Sequence, residues 1–265
     1  MKKEIRYNDI KVIFRDEGQG VPVVFLHGYL ESSEIWLPFT GGLSGQGRMI
    51  SVDLPGHGES DVAGEVHTME FMADVVKHVL DQIGVDQCIL VGHSMGGYVA
   101  LAFLANYSER LKALSLFHSH PLADTSETKA NREREISLIR EGKKELIYNA
   151  NIPKAFANDN LEKYRDDVDF AREIARKTPG SGIIAVLNGM MQRPDYRETL
   201  RNCPVPFLWI LGKKDNYIPC EAIMEKVTLP EKGTLTLLDH SGHMGFIEER
   251  NISLGIILDF ILSNQ

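Results

Sequence analysis

The sequence predicts an α/β fold: a mostly parallel sheet flanked by helices. Three observations carry the prediction. Short, continuous apolar runs recur along the chain, as in strands buried on both faces. Segments of helical periodicity lie between them. The two kinds alternate, and alternation places helices on the faces of a parallel sheet.

Residues 4–16 alternate loosely and end in the turn Asp16-Glu17-Gly18-Gln19-Gly20, which predicts a first hairpin with the next strand. Residues 21–26 form the first continuous apolar run; 49–52, 88–91, 113–117 and 206–211 match it, and 235–238 adds another. Residues 68–83 place Phe71, Val75, Val79 and Ile83 at spacings of four and stop at Gly84, which predicts a helix. Residues 95–106 are apolar nearly all round, so that helix is expected to be buried. Residues 252–262 form the closing helix.

Residues 119–202 break the alternation with several helical stretches and no strong strand signal. Leu161, Tyr164, Val168, Ala171 and Ala175 form one apolar stripe, and Ile136, Ile139 and Leu146 a narrower one. The segment is expected to pack its own core and to roof a pocket.

Composition removes several function classes. The 265 residues are 43% hydrophobic and 25% charged, too polar for a membrane bundle and too apolar for a disordered chain. The net charge of −8 disfavours nucleic acid as a partner. The charge runs at 127–145 and 162–177 mix both signs and are read as solvated helix faces. Cys88, Cys203 and Cys220 lie far apart with no CxxC, so neither a disulfide framework nor a zinc site is expected. No apolar stretch approaches the ~20 residues of a membrane helix. No apolar run comes after the charged N-terminal residues, so no signal peptide is expected and a reducing cytoplasm is the expected setting.

The chemistry centres on Gly92-His93-Ser94-Met95-Gly96-Gly97. It lies directly after one predicted strand and opens a predicted helix, the context a G-x-S-x-G nucleophile elbow requires. A sharp turn there lifts the serine hydroxyl clear of the sheet. Side chains two residues before or after the serine would collide, hence the glycines. The helix N-terminus aims backbone N–H groups at the reaction centre. A serine also needs a base, and the base an orienting acid. Asp215 and His243 stand in the expected order, each just past a predicted strand. Asp124 is the rival acid and His240 the rival base.

These residues, with His27-Gly28-Tyr29, Asp53-Leu54-Pro55-Gly56-His57-Gly58-Glu59-Ser60 and Gly242-His243 followed by Glu248, make the chain similar along nearly its whole length to the α/β-hydrolase fold superfamily. The resemblance implies an eight-stranded, mostly parallel sheet, with a core of residues 1–118 and 203–265. It implies a helical cap, 119–202, inserted after the sixth strand. It also implies an oxyanion hole from the backbone N–H groups of Tyr29 and Met95, and a structural turn over 53–60. Dehalogenases of this fold carry Asp at the elbow, where this chain has Ser94. The cap resembles those of enol-lactone hydrolases and small-molecule esterases.

The expected function is therefore hydrolysis of a small-molecule carboxylic ester or lactone through an acyl-enzyme on Ser94, with no cofactor and no metal. His243 must be neutral to act as base, so activity is expected to rise with pH. His27, Trp36, His118 and Met190 are assigned to the substrate pocket, with Phe39 a further candidate wall. Pocket lining is preferred to metal binding for His118 and His120, and a surface position to a substrate contact for Arg193. Three alternatives stay open: a cofactor-free perhydrolase or haloperoxidase, a carbon–carbon bond hydrolase, and a ligand receptor of this fold with slow turnover.

Overall fold

A computed structural model describes residues 1–265. One sheet contains β1 (Lys2–Tyr7), β2 (Ile10–Gly18), β3 (Pro22–Leu26), β4 (Arg48–Val52), β5 (Cys88–His93), β6 (Leu111–Phe117), β7 (Phe207–Gly212) and β8 (Gly233–Leu238). The eight strands run in the order β1-β2-β4-β3-β5-β6-β7-β8. β2 is antiparallel to both its neighbours, β1 and β4; every other pairing is parallel. Every residue of β5 and β7 is buried, which accounts for their unbroken apolar runs.

The first hairpin is a correction. Its turn is Asn8-Asp9, with Asn8 at φ 51°, so 4–16 is two strands rather than one. β2 then pairs with β4 and not with β3. Asn tolerates positive φ well enough to turn the chain without glycine.

Helices α1 (Leu37–Gly41), α2 (Met69–Gln82) and α3 (Met95–Tyr107) precede β6. Thr68 caps α2 by accepting the Phe71 N–H, and Gly84 follows its end at φ 66°. Between β6 and β7 stand α4 (Ser126–Arg140), α5 (Lys144–Ala155), α6 (Arg165–Lys177), α7 (Gly180–Gln192) and α8 (Arg197–Arg201). After β7 come α9 (Cys220–Met224), α10 (Gly245–Glu248) and α11 (Arg250–Leu262). None of the helices is long and apolar enough to cross a membrane.

The apolar stripes of the insertion resolve into separate helices. Val168, Ala171, Ile174 and Ala175 are the buried face of α6, whereas Leu161 and Tyr164 precede it. Ile136 and Ile139 are buried on α4, but Leu146 lies on α5 and is exposed. The Gly142 turn between them, at φ 78°, breaks the stripe.

The insertion is fastened to the sheet domain by backbone contact. The His67 N–H donates to Ala185 O of α7 at 2.8 Å. A Cβ at Gly189 would stand 1.7 Å from His67 O, so only glycine allows α7 to lie this close. A buried charge cluster adds to this. Asp124 accepts from Arg132 Nε at 2.7 Å and from Arg193 Nη1 at 2.6 Å. Burial alone would raise the Asp124 carboxyl, but the two guanidinium groups hold it below its ordinary value. Arg193, expected at the surface, is 4% exposed because the turn after α7 folds it under Leu122.

The order at the sheet centre fixes where a site can form. The chain crosses from β4 back over β3 to β5, so connections leave β3 and β5 in opposite directions. That opens a crevice at their carboxyl ends.

Two consequences are measurable by urea denaturation. Gly189→Ala should lower stability by about 3 kcal/mol, since the clash is with backbone. Asp124→Ala should cost about 3 kcal/mol at neutral pH by stranding buried guanidinium charge. Because the folded-state pKa of Asp124 is depressed, its contribution is complete above the ordinary aspartate range and is lost as pH falls toward the folded value. The gap between wild type and Asp124→Ala should therefore narrow in acid.

Candidate active site

Ser94 sits where β5 turns into α3, at φ 50° and ψ −115°. A non-glycine residue there stores of order 1–3 kcal/mol of strain. Contacts on both sides hold it: the Ser94 N–H donates to Phe117 O at 3.1 Å, and Ser119 Oγ donates to Ser94 O at 2.7 Å. A Cβ at Gly96 would lie 2.4 Å from Leu26 O, and one at Gly92 would lie 2.4 Å from Gly96 O. Both glycines are therefore required by close packing of backbone on backbone.

Tyr29 follows β3 across the crevice. The orientation of its amide is set by His27, which is fully buried. The Leu54 N–H donates to His27 Nε2 at 3.0 Å, so the neutral ring carries its proton on Nδ1. That Nδ1–H donates to Gly28 O at 2.8 Å. The 28–29 peptide is planar and trans, so fixing its carbonyl points the Tyr29 N–H the opposite way. No acceptor within the protein takes that N–H. The Met95 N–H, first in α3, has no partner inside its own helix.

His243 and Asp215 meet beyond the ends of β8 and β7. His243 Nδ1 donates to Asp215 Oδ2 at 2.7 Å. Asp215 Oδ1 accepts the N–H groups of Tyr217 and Ile218 at 2.8 and 2.9 Å. Burial pushes the Asp215 carboxyl up, but His243 and His118 outweigh it and hold the group well below the usual carboxylate range. The His243 loop is fixed on every side. Its N–H donates to Ala155 O at 2.7 Å, and Glu248 Oε1 accepts from Gly242 N at 2.9 Å and Met244 N at 3.3 Å.

His118, expected at the pocket wall, lies beneath Asp215 instead. It is fully buried at φ 47°, with Nδ1 3.6 Å from Asp215 Oδ2. The Gly245 N–H donates to its Nε2 at 3.2 Å, which leaves the proton on Nδ1, facing the carboxylate. Burial pushes this ring down to about 4, so it is neutral at physiological pH.

A cavity of about 340 Å³ has Tyr29, Ser94 and His243 in its wall. Met190 lines it too; His27, Trp36 and Phe39 do not. Trp36 and Phe39 pack with Phe25, Phe117 and Phe246 in an aromatic cluster under the sheet ends, which explains their burial. Of the rivals, Asp124 is committed to its two arginines, and His240 is exposed.

Other wall residues escape a reading by sequence. The run 127–145 has the pattern of a solvated face, yet Arg132 and Glu135 of α4 point into the cavity. Tyr29 Oη donates to Glu135 at 2.8 Å, and Asn151 Nδ2 donates to Glu135 at 2.9 Å. Tyr217 Oη donates to Asn151 O at 2.9 Å, completing a chain of polar contacts across the cavity. Burial and the Glu135 charge raise the Tyr29 phenol well above its ordinary value, so it stays a donor. No short-range pattern marks an inward charge on a charged helix.

A model of the alpha/beta hydrolase fold family matches residues 21–134. A thermophilic esterase from Thermogutta terrifontis, solved with malate bound, is 28% identical; the match covers 99% of this chain and 98% of that one at a TM-score of 0.94. The enol-lactonase from Burkholderia xenovorans LB400 is 20% identical, with 98% and 100% covered and a TM-score of 0.90. A pimeloyl-[acyl-carrier protein] methyl ester esterase of Aeromonas hydrophila is 26% identical over 252 residues, 92% of this chain and 96% of that protein. Two other curated relatives are longer, and the chain spans 13% and 60% of their lengths. With a sheet of this order, a strained serine after β5 and these matches, the chain has the alpha/beta hydrolase fold.

Proposed function

We propose that the protein is a serine hydrolase of small carboxylic esters or lactones. The observation that carries the reading is the 2.7 Å bond from His243 Nδ1 to a buried Asp215, in a histidine that lines one cavity with the strained Ser94. That bond fixes the tautomer and leaves Nε2 as the free basic nitrogen. The relatives named esterase and enol-lactonase support the same class of bond.

In this mechanism His243 takes the Ser94 proton as Oγ attacks the carbonyl. The imidazolium that forms is stabilised by Asp215, which stays ionised. The amides of Tyr29 and Met95 donate to the tetrahedral oxyanion; each such donor is worth ~3–4 kcal/mol. His243 returns the proton to the leaving alkoxide. It then takes a proton from the water that attacks the acyl-enzyme and passes it to Ser94 Oγ as the Oγ–acyl bond breaks and the acid is freed. Residues 119–202 act as a cap over 1–118 and 203–265. A cavity of about 340 Å³ stands at the small end of ligand pockets and fits a short acyl chain.

A series of p-nitrophenyl esters and small lactones tests this directly. Acetate and butyrate should turn over faster than decanoate. Ser94→Ala should lower kcat by about ten-thousand-fold with the fold intact; a variant keeping most of its activity would remove Ser94 as nucleophile.

The pH profile gives a second test. Because Asp215 is held well below the usual range, the acid limb of kcat/KM should contain one ionisation, that of a histidine. Activity should rise with pH and level off. Asp215→Asn should reduce kcat about a thousand-fold or more. A flat wild-type profile between about pH 5 and 9 would count against a histidine base.

A further inference from the structure

The elbow carries a second histidine that the mechanism does not use. His93 precedes Ser94 and is fully buried. Its Nε2 lies 2.9 Å from the backbone oxygen of His243, 150 residues away in sequence. Its Nδ1 lies 3.1 Å from Glu31 Oε2. The same carboxylate oxygen accepts the Gly28 N–H at 2.6 Å.

The donor and acceptor count is restrictive. A carbonyl oxygen only accepts, so Nε2 must carry a proton. A carboxylate only accepts, so Nδ1 must carry one as well. Other buried histidines of the chain are different. His27, His67 and His118 accept a backbone N–H on Nε2, and His120 accepts one on Nδ1, so in each ring one nitrogen is left without a proton and the ring is neutral. The inverse arrangement, Glu31 protonated and donating to a neutral His93, puts the proton on the weaker base: ordinary values are ~4.3 for glutamate and ~6.5 for histidine.

We propose that His93 is an imidazolium at neutral pH and a positioning residue: its ion pair with Glu31 locks the His243 loop and the Gly28-Tyr29 loop onto the Ser94 elbow. The positioning role rests on the serine-hydrolase reading; the charge state does not. One buried cation thereby ties together the three segments that carry nucleophile, base and oxyanion donor. The 2.6 Å bond to Gly28 has the short length of a charge-assisted hydrogen bond, in keeping with an ionised Glu31.

The surroundings agree. Burial lowers the His93 ring, but Glu31, the His243 carbonyl and Asp215 raise it above its ordinary value overall. Burial raises Glu31, but His93, Gly28 and His27 bring it below. The other groups facing His93 are the rings of His243 at 5.0 Å and His118 at 6.3 Å, the His27 ring, which burial and the His93 charge push down, and the apolar rings of Phe246 and Trp36. An imidazolium beside His243 would by itself oppose protonation of the base. Glu31 supplies the opposite charge on the other side of the His93 ring.

The test uses the whole ¹⁵N-labelled protein and two variants, His93→Gln and Glu31→Gln. Long-range ¹H–¹⁵N spectra should show both His93 ring nitrogens protonated from about pH 6 to 9, with assignment from the signals lost in His93→Gln. One unprotonated ring nitrogen in that range overturns the charge assignment, whether or not the protein hydrolyses an ester. In Glu31→Gln the carboxylate charge is gone and the amide NH2 can donate to Nδ1 only by giving up the Gly28 N–H, so His93 should become neutral with its proton on Nε2, keeping the bond to His243 O. Both nitrogens still protonated there would sink the Glu31 pairing.

Kinetics read the positioning role. His93→Gln should lower kcat ten- to a hundredfold with KM within about twofold. It should also move the acid limb up by about half a unit or more, because Glu31 is left unpaired near His243. Glu31→Gln removes both charges together and should leave that limb in place, with kcat falling less than about fivefold. If His93→Gln fails to fold, the spectra are assigned from the wild-type titration and the Glu31→Gln pair of readouts decides. Unchanged kcat and acid limb in a folded His93→Gln would overturn the positioning role, while Ser94→Ala separately decides the hydrolase reading.

Discussion

The left-handed backbone of Ser94 is the constraint on which the rest of the site depends. A serine at φ 50° is held only because neighbouring elements over-determine it. Phe117 O accepts its amide, Ser119 Oγ donates to its carbonyl, and Gly96 lets α3 press onto the end of β3. The same close approach brings the first amide of α3 to the Tyr29 loop. Relaxing the turn would therefore move the proposed nucleophile and the proposed oxyanion donors together.

Buried histidines organise the surroundings of that turn, and their protonation can be read from the groups they face. A backbone N–H aimed at one ring nitrogen fixes the proton on the other. Leu54 thus sets His27 to hold Gly28 O, and Gly245 sets His118 toward Asp215. These rings lie outside the cavity, yet each touches the neighbour of a residue that lines it: Gly28 precedes Tyr29, and Asp215 holds His243. Asp215 accepts from three donors, two of them backbone amides, with the His118 ring 3.6 Å away, and so stays charged although buried. Such donor-rich burial is how a low-dielectric site keeps a carboxylate ionised.

The helical insertion contributes a different kind of order. Its fixed attachment is α7, pressed against the loop before α2 by Gly189. Its polar attachment is the chain from Tyr29 through Glu135 and Asn151 to Tyr217. This chain links α4 and α5 to the loops that carry the proposed oxyanion donor and the proposed acid. The cavity is therefore shaped by charged and hydroxyl groups that are already paired, with apolar residues such as Ile152, Phe156 and Met190 between them.

Local pattern determined the sheet and most helices, and it singled out Ser94, Asp215 and His243, the residues proposed as nucleophile, acid and base. Apolar runs, helical spacing and glycine-flanked turns are properties of neighbours in sequence, and they survive without tertiary context. The Asn8-Asp9 turn is not legible because two weak strands in one alternating run look like a single strand. Long-range contact alone decided the rest. His27, Trp36 and His118 lie under the pocket, not in it, because the β4 crossover and the aromatic cluster claim them. Glu135 and Arg193 turn inward because partners far away in sequence, Tyr29 and Asp124, offer a donor and a counter-charge there, and Arg132 turns inward to the same Asp124, eight residues before it. The proton count on His93 belongs to the same class. A histidine's charge depends on whether its two nitrogens meet donors or acceptors, and those come from residues 62 and 150 positions away, which only the folded chain brings together.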